Sequence, residues 1–434
     1  MFKPRSLGFL VLTVLLGQPV SAELPSVDAI WQLIQQQQAE IETLKAKLQS
    51  QEQRLVEAAD RLRTVSQTAD QAASNQAEIA ETRLMLESTV ESVEAAVTTR
   101  SSTEMGGYGE LHMNRTNQGD EIDFHRFVLF FNHAFSERLN FYSELEIEHS
   151  IAGEGQVGEV ELEQAFIQWD YQAEQRAKMG LFLLPIGILN ETHEPDTFYG
   201  VERNAIERNI IPATWWEAGV AFNGEISPGW GYDLAIHSGL NLLTGSESDP
   251  VGASRRSSLR SARQKVAEAN ADSLAYTARV SYSAIPGLQV RGAIQHQADI
   301  TQGDDEGFGI DAIRANLFEV DINYSRDRVG LRALYARWMI DQGIERLNPG
   351  ANRQLGWYLE PSYRLSPEVG FFARYGEYDL TAGQQATSDK RRQWDLGMNY
   401  WLHENVVLKF DLQRQDNETG KNRDGFNIGL GYSY

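Results

Sequence analysis

The most constraining feature of this chain is the rhythm of its connections. From Gly106 onward the apolar pattern has period two. It resolves into sixteen segments, near 106-116, 121-134, 138-150, 157-171, 176-184, 216-225, 229-240, 273-285, 287-299, 311-324, 326-340, 353-366, 367-380, 391-403, 404-416 and 425-434. Every second connection is short, as at Ser136-Glu137-Arg138, Ser227-Pro228-Gly229, Ile285-Pro286-Gly287 and His403-Glu404-Asn405. Most of the others are longer: 185-215, 241-272, 300-310, 341-352, 381-390 and 417-424, while those near 117-120 and 151-156 are shorter than the rest. Short turns alternating with long loops between segments of about 10 residues are the signature of a transmembrane β-barrel. The expected fold is therefore an all-β transmembrane barrel of about 16 antiparallel strands, wide enough for an aqueous channel. A soluble sandwich would not produce this alternation.

The ends of the chain agree. Residues 425-434, GFNIGLGYSY, put Phe426, Ile428, Leu430, Tyr432 and Tyr434 on one face and small or polar residues on the other. Such a final strand resembles the assembly signal of bacterial outer-membrane proteins. Residues 1-22 read as a signal peptide: Lys3 and Arg5, then the apolar run Leu7 to Leu16, then Val20-Ser21-Ala22. That run is too short to span a bilayer, and mean hydropathy is -0.42. A membrane location therefore requires strands. There are no cysteines, which excludes disulfides and thiol chemistry.

Between these parts, residues 23-100 contain no glycine and carry a heptad seam. Ile34, Ile41, Leu48, Leu55 and Leu62 mark one core position; Ile30, Leu44, Ala58, Val65 and Ala72 fall on the other. This 3-4 spacing predicts an α-helical coiled-coil stalk, which must associate with other copies to bury its stripe. Residues 30-97 as one helix would reach on the order of 100 Å at about 1.5 Å per residue. Three chains is the natural number if each of three barrels donates a helix, although the seam itself does not distinguish three from two. An even strand count puts the stalk and both barrel ends in the periplasm.

Phase gives facing. On 138-150, Phe141, Leu145 and Ile147 face out, and Glu144, Glu146 and Glu148 form an inward acidic row. On 404-416, Val406, Leu408, Phe410 and Leu412 face lipid and Lys409 faces the lumen. Arg279, Arg291, Arg374 and Lys409 are the candidate pore-lining cations. A charge on the lipid face would cost about 2–4 kcal/mol near the midplane, which supports these phases.

The connection 185-217 differs from the others. It holds Phe198, Tyr199, Ile206, Ile210, Ile211, Trp215 and Trp216, which need burial, beside Glu202, Arg203, Glu207 and Arg208. Folded into the barrel mouth, it would pack its apolar side on the wall and narrow the pore with those four charges. The alternative is a subunit-contact loop.

Here the chain resembles the phosphate-selective porin O/P superfamily of Gram-negative outer-membrane porins, including relatives with an N-terminal periplasmic coiled coil. The likeness rests on residues 126-224: LEQAFIQWD at 162-170, GLFLLPIG at 180-187, Val201-Glu202-Arg203, and ERNIIPATWWEAGVAF at 207-222. The resemblance implies a homotrimeric channel whose third loop lines the constriction. Phosphate-selective members line their pores with arginine and lysine, whereas residues 101-434 here carry 30 basic and 48 acidic side chains. Phosphate selectivity is therefore not carried over.

The net charge of -22 excludes nucleic acid as a partner. It fits solvated loops with a polar lumen, or a cation-preferring pore. The cluster Arg255, Arg256, Arg260, Arg263 and Lys265 reads as a solvated loop, with contact to lipopolysaccharide or recruitment of anions as alternatives. No catalytic or metal-binding motif surrounds the scattered histidines, so neither enzyme activity nor a cofactor is expected. The expected function is passive diffusion of small polar solutes or ions across the outer membrane. The alternatives are a tether to peptidoglycan through the stalk and, more remotely, a barrel hydrolase.

Overall fold

The fold is seen in a computed structural model of the chain. It describes parts of a helix between residues 28 and 71, and residues 102–150, 158–243, 259–303, 311–383, 389–418, 420 and 422–434. The signal segment, most of the stalk's second half, Arg255 and Arg256 lie outside the described residues. Residues 1–100 and 101–434 form two compact units. In the first, the described residues are helical, and Leu48, Leu62 and Val65 of the heptad seam are exposed on the single chain. No described helix is long and apolar enough to cross a membrane.

The second unit is a closed antiparallel barrel of sixteen strands. In chain order they are β1 (Thr103–Thr116), β2 (Gly119–Ser136), β3 (Leu139–Glu148), β4 (Val160–Gln172), β5 (Gln175–Leu183), β6 (Trp216–Ser227), β7 (Trp230–His237) and β8 (Ala275–Tyr282). Then follow β9 (Leu288–Gln297), β10 (Ala315–Arg326), β11 (Val329–Ile340), β12 (Arg353–Arg364), β13 (Val369–Asp379), β14 (Arg391–His403), β15 (Val406–Asn417) and β16 (Arg423–Ser433). Each strand pairs with its sequence neighbours, and β1 closes on β16 with Gly109 opposite Tyr432. Gly107 N donates to Tyr434 O and Tyr434 N to Gly107 O, both at 2.9 Å, so the terminal residue completes the ring. No sheet edge is left to pair elsewhere.

The period-two pattern sets the two surfaces. Leu408, Phe410 and Leu412 are exposed on the outside, while Lys409 and Asp411 are buried inside. Trp169, Trp230, Tyr363, Tyr400 and Tyr434 are exposed near the short-turn end, as an interfacial aromatic girdle requires.

The apolar core lies within the ring. The β5–β6 connection, residues 184–215, enters the lumen and buries Ile186, Phe198, Ile206, Ile210, Ile211 and Trp215. Its helix, α1 (Ala205–Asn209), rests on β12 and β13 and is capped by the Asn204 side chain, which accepts from Glu207 N at 2.9 Å. The wall is thinned to admit it. A Cβ on Gly376 would lie 2.5 Å from Ile206 Cδ1, and one on Gly356 would lie 3.0 Å from Ile210. Gly376→Val is therefore expected to destabilise the folded barrel by about 1–3 kcal/mol through overpacking. An unchanged urea midpoint in lipid would contradict this packing.

Candidate functional site

The β5–β6 loop is held in the lumen by bonds to inward-facing side chains on many strands. Arg126 Nη2 of β2 donates to His193 O at 2.6 Å, and Arg374 Nη2 of β13 donates to Tyr199 O at 2.7 Å. Asn399 of β14 donates to Phe198 O at 3.0 Å, and Asp411 of β15 accepts from Val201 N at 2.7 Å. Trp338 Nε1 of β11 donates to Ile210 O at 2.8 Å. The loop passes well beyond the mouth: Ser433 Oγ, at the short-turn end of β16, donates to Asp196 at 3.0 Å. The buried carbonyls of an irregular segment thus find donors within the protein, as burial demands. These bonds leave no room for the subunit-contact alternative.

Between Phe198 and Ile210 the loop is bonded to β11–β15, and it leaves a cavity of about 210 Å³ beside β1–β4. Its two sides differ in charge. The strand side carries Glu110, Glu146, Glu148, Glu161 and Glu163 with His112 and Arg126; the opposite side carries Arg203, Arg208, Arg260 and Arg263. Arg203 Nη1 donates to Thr214 Oγ1 at 2.8 Å, and Arg260 Nη1 donates to Arg208 O at 3.1 Å. Burial, and then the charges of Arg263, Arg208 and Arg203, push the Arg260 guanidinium down to about 10, so it remains cationic at neutral pH. Arg263 donates to Thr214 O. The basic residues at 260–263 therefore turn inward, which corrects their reading as a solvated loop; the inner contacts are carbonyls of residues 208–214. Lys265 sits against Glu159, at 2.7 Å, and Glu161.

Glu202 stands between the two sides. It accepts from Asn114 Nδ2 at 2.8 Å, lies 3.1 Å from His112 Nδ1 and 3.6 Å from Arg208 Nη1. Burial raises its carboxyl, but the His112 hydrogen bond and the His112 and Arg208 charges outweigh this and hold it well below the usual carboxylate range. Glu202 is thus an anion at neutral pH. A second cavity bordered by Glu202, Arg203, Arg208, Arg391 and Arg423 lies on the far side of the same residues. At the short-turn end, a wider space of about 680 Å³ is bordered by Glu174, Arg176, Asp233 and Arg279.

Glu202, Arg203 and Arg208 thus come together at the cavity, and Glu146 and Glu148 line it. Six of the sequence-derived positions lie outside this cavity's lining. Glu207 is fully enclosed: it accepts from Ile188 N at 2.8 Å, Leu189 N at 2.6 Å, Asn204 Nδ2 at 3.1 Å and Tyr358 OH at 2.6 Å. It braces the loop and faces no open space. Arg374 lies beneath the loop, paired with Glu360 at 2.6 Å and Asp395 at 3.4 Å. Lys409 is also covered, its Nζ 3.5 Å from the Phe198 ring centroid. Glu144 is buried and accepts from Tyr108 OH at 3.0 Å and Gln164 Nε2 at 2.6 Å, beyond the cavity's lining. The loop on the wall converts Arg374 and Lys409 from lumen-facing positions into core positions. Arg279 is held by Glu191 and by Asp233, at 2.8 Å, and Arg291 by Asp321 at 3.0 Å. The sequence reading did not select Glu110, Arg126, Glu163 or His193. The inward phase of Glu110, Arg126 and Glu163 was available, but His193, which meets Arg126 and Glu163, lies on a different element.

Residues 247–420 match the family model of Gram-negative porins. The porin match covers the second half of the ring, whereas the resemblance to the O/P superfamily rests on residues 126-224; the narrower superfamily is not what the model describes. The chain is 28% identical over 363 residues to an uncharacterized protein of Aquifex aeolicus (strain VF5), covering 77% of this chain and 80% of that one. Two porin structures are similar in fold. The anion-selective porin from Comamonas acidovorans superposes with a TM-score of 0.55 at 12% identity, over 77% of this chain and 100% of that one. OmpF of Salmonella typhi, in complex with daunomycin, gives 0.55 at 14% identity, over 76% and 97%. At these identities the likeness is one of fold.

Proposed function

We propose that the chain is an outer-membrane porin, a passive diffusion channel for small hydrophilic solutes or ions. The single observation that carries this reading is a loop bonded inside a closed barrel that leaves a polar cavity, acidic on one side and cationic on the other. Solutes enter past the long loops, pass Glu202, Arg203 and Arg208, and leave through the wider space beside the short turns. Charged groups at a constriction set ion preference, because a permeating ion meets them with little water between. The constriction assigned here is Glu202, Arg203 and Arg208, with Arg260 and Arg263 behind them. Membership of the phosphate-selective O/P superfamily is the finer reading supported by the motifs between 126 and 224. Phosphate preference is not part of it.

The assembly proposed is a homotrimer with its stalk in the periplasm. The exposed Leu48, Leu62 and Val65 support association, since a lone helix would leave this stripe in water.

Arg203→Ala with Arg208→Ala is the test of the constriction. The double variant is expected to move the reversal potential under a salt gradient toward cations and to change the single-channel conductance. If both are unchanged, selectivity resides elsewhere.

A further inference from the structure

Behind the acidic side of the cavity, three buried side chains converge in a way that a pore wall does not require. His193 Nε2 lies 3.5 Å from Glu144 Oε1 and 3.6 Å from Glu163 Oε2. All three residues are at most 2% exposed. Their candidate ligand atoms lie within 4.8 Å of one another. Neither carboxylate oxygen of Glu163, nor His193 Nε2, has a well-formed hydrogen bond; the polar groups beside Glu163 are the His193 imidazole and the Glu146 carboxyl. A buried carboxylate without a donor is costly, so this group calls for a positive centre. We infer that Glu144, Glu163 and His193 bind a first-row divalent transition-metal ion of the Zn2+ class.

Four points support this. First, ligand atoms about 2.0–2.2 Å from a tetrahedral zinc ion are separated by about 3.4 Å, close to the spacings found. Second, the outer partners are in place. His193 Nδ1 lies 3.1 Å from Asn190 O, the bond that leaves Nε2 free for a metal, and Glu144 is oriented by Tyr108 and Gln164. The Tyr108 ring meets the imidazole edge-on at 5.9 Å between centroids. Third, the local charge is negative: Glu110, Glu144, Glu146 and Glu163 are buried around Arg126, whose guanidinium pairs with Glu110 at 2.5 Å and lies 3.9 Å from Glu146. Fourth, there is a way in, since Glu163 and Glu146 line the cavity. The ligand set, one imidazole and two carboxylates, suits Zn2+ better than Mg2+.

The consequence is mechanical. Glu144 lies on β3 and Glu163 on β4, while His193 belongs to the inner loop. The ion would pin the loop to the wall in a chain that has no cysteine to do so. This inference does not depend on whether the barrel conducts.

The full-length protein, folded in detergent and stripped with chelator, is crystallised with Zn2+ and measured at the zinc absorption edge. The expected result is an anomalous peak within bonding distance of His193 Nε2, Glu144 and Glu163. No peak there overturns the site and leaves His193 as a plain cation between two carboxylates. A peak confined to the shallower Asp123, His125 and His149 group overturns it equally. In parallel, Glu163→Gln in an Asp123→Asn background is expected to weaken Zn2+ uptake at least tenfold relative to that background, by competition with a chelating dye. Equal uptake by folded protein, identified by its heat-shifted gel mobility, counts against the inference. If Glu163→Gln does not fold, the anomalous measurement on the unaltered chain still decides.

Discussion

Glu207→Ala is expected to free the inner loop from its bracing and to raise single-channel conductance. The carboxylate accepts four hydrogen bonds from buried groups, and alanine leaves Ile188 N, Leu189 N and Tyr358 OH without partners. Each unsatisfied buried group costs about 1–3 kcal/mol, so the total is on the order of 5 kcal/mol. The loss falls on the turn at 188–189 and on the start of α1 together, because one side chain joins them. Loop 184–215 should then sample positions away from β12, widening the lumen. Glu207→Gln keeps one acceptor oxygen and should fall between the two. Planar-bilayer recordings give the answer: an alanine variant with native conductance, native current noise and native stability would show that Glu207 braces nothing.

Arg126→Ala is expected to cost about 3–5 kcal/mol, the range for removing one partner of a buried ion pair. The guanidinium is 1% exposed and serves Glu110 at 2.5 Å, Tyr108 OH at 3.2 Å and His193 O at 2.6 Å. Without it, buried carboxylates of β1 and β3 face one another. Urea unfolding in lipid vesicles should register a lower midpoint, and Arg126→Lys should recover only part, since lysine cannot reach three acceptors in one plane. A midpoint within error of the native value would contradict the assigned role.

These two residues also illustrate how much was legible in the sequence. The sixteen strands were, because lipid outside and water inside impose alternation on every crossing. β14 occupies the expected 391-403, and the other ends fall within a few residues. The inward course of 185-217 was legible from its apolar content, which no exposed loop tolerates. Facing was legible as well, and Lys409 and Arg374 do point inward. Whether an inward residue meets water or the loop was not legible. Asp411 and Val201 are 210 positions apart, and only the path of the loop brings them together. Glu207 misled for a related reason: in sequence a brace and a pore charge are the same glutamate. Arg260 and Arg263 misled because a long polar loop reads as solvated until its ends are seen to turn in. His193 drew no notice among scattered histidines, since its partners lie on β3 and β4.

The proposed channel is an open, charge-asymmetric path through a barrel narrowed by its own loop. Single-channel recording of the purified protein in a planar bilayer under a salt gradient tests it most directly. Stepwise conductance is expected, grouped in threes for the proposed trimer, with a reversal potential that shifts when Arg203 and Arg208 are replaced. Folded, membrane-inserted protein that passes no current would contradict it.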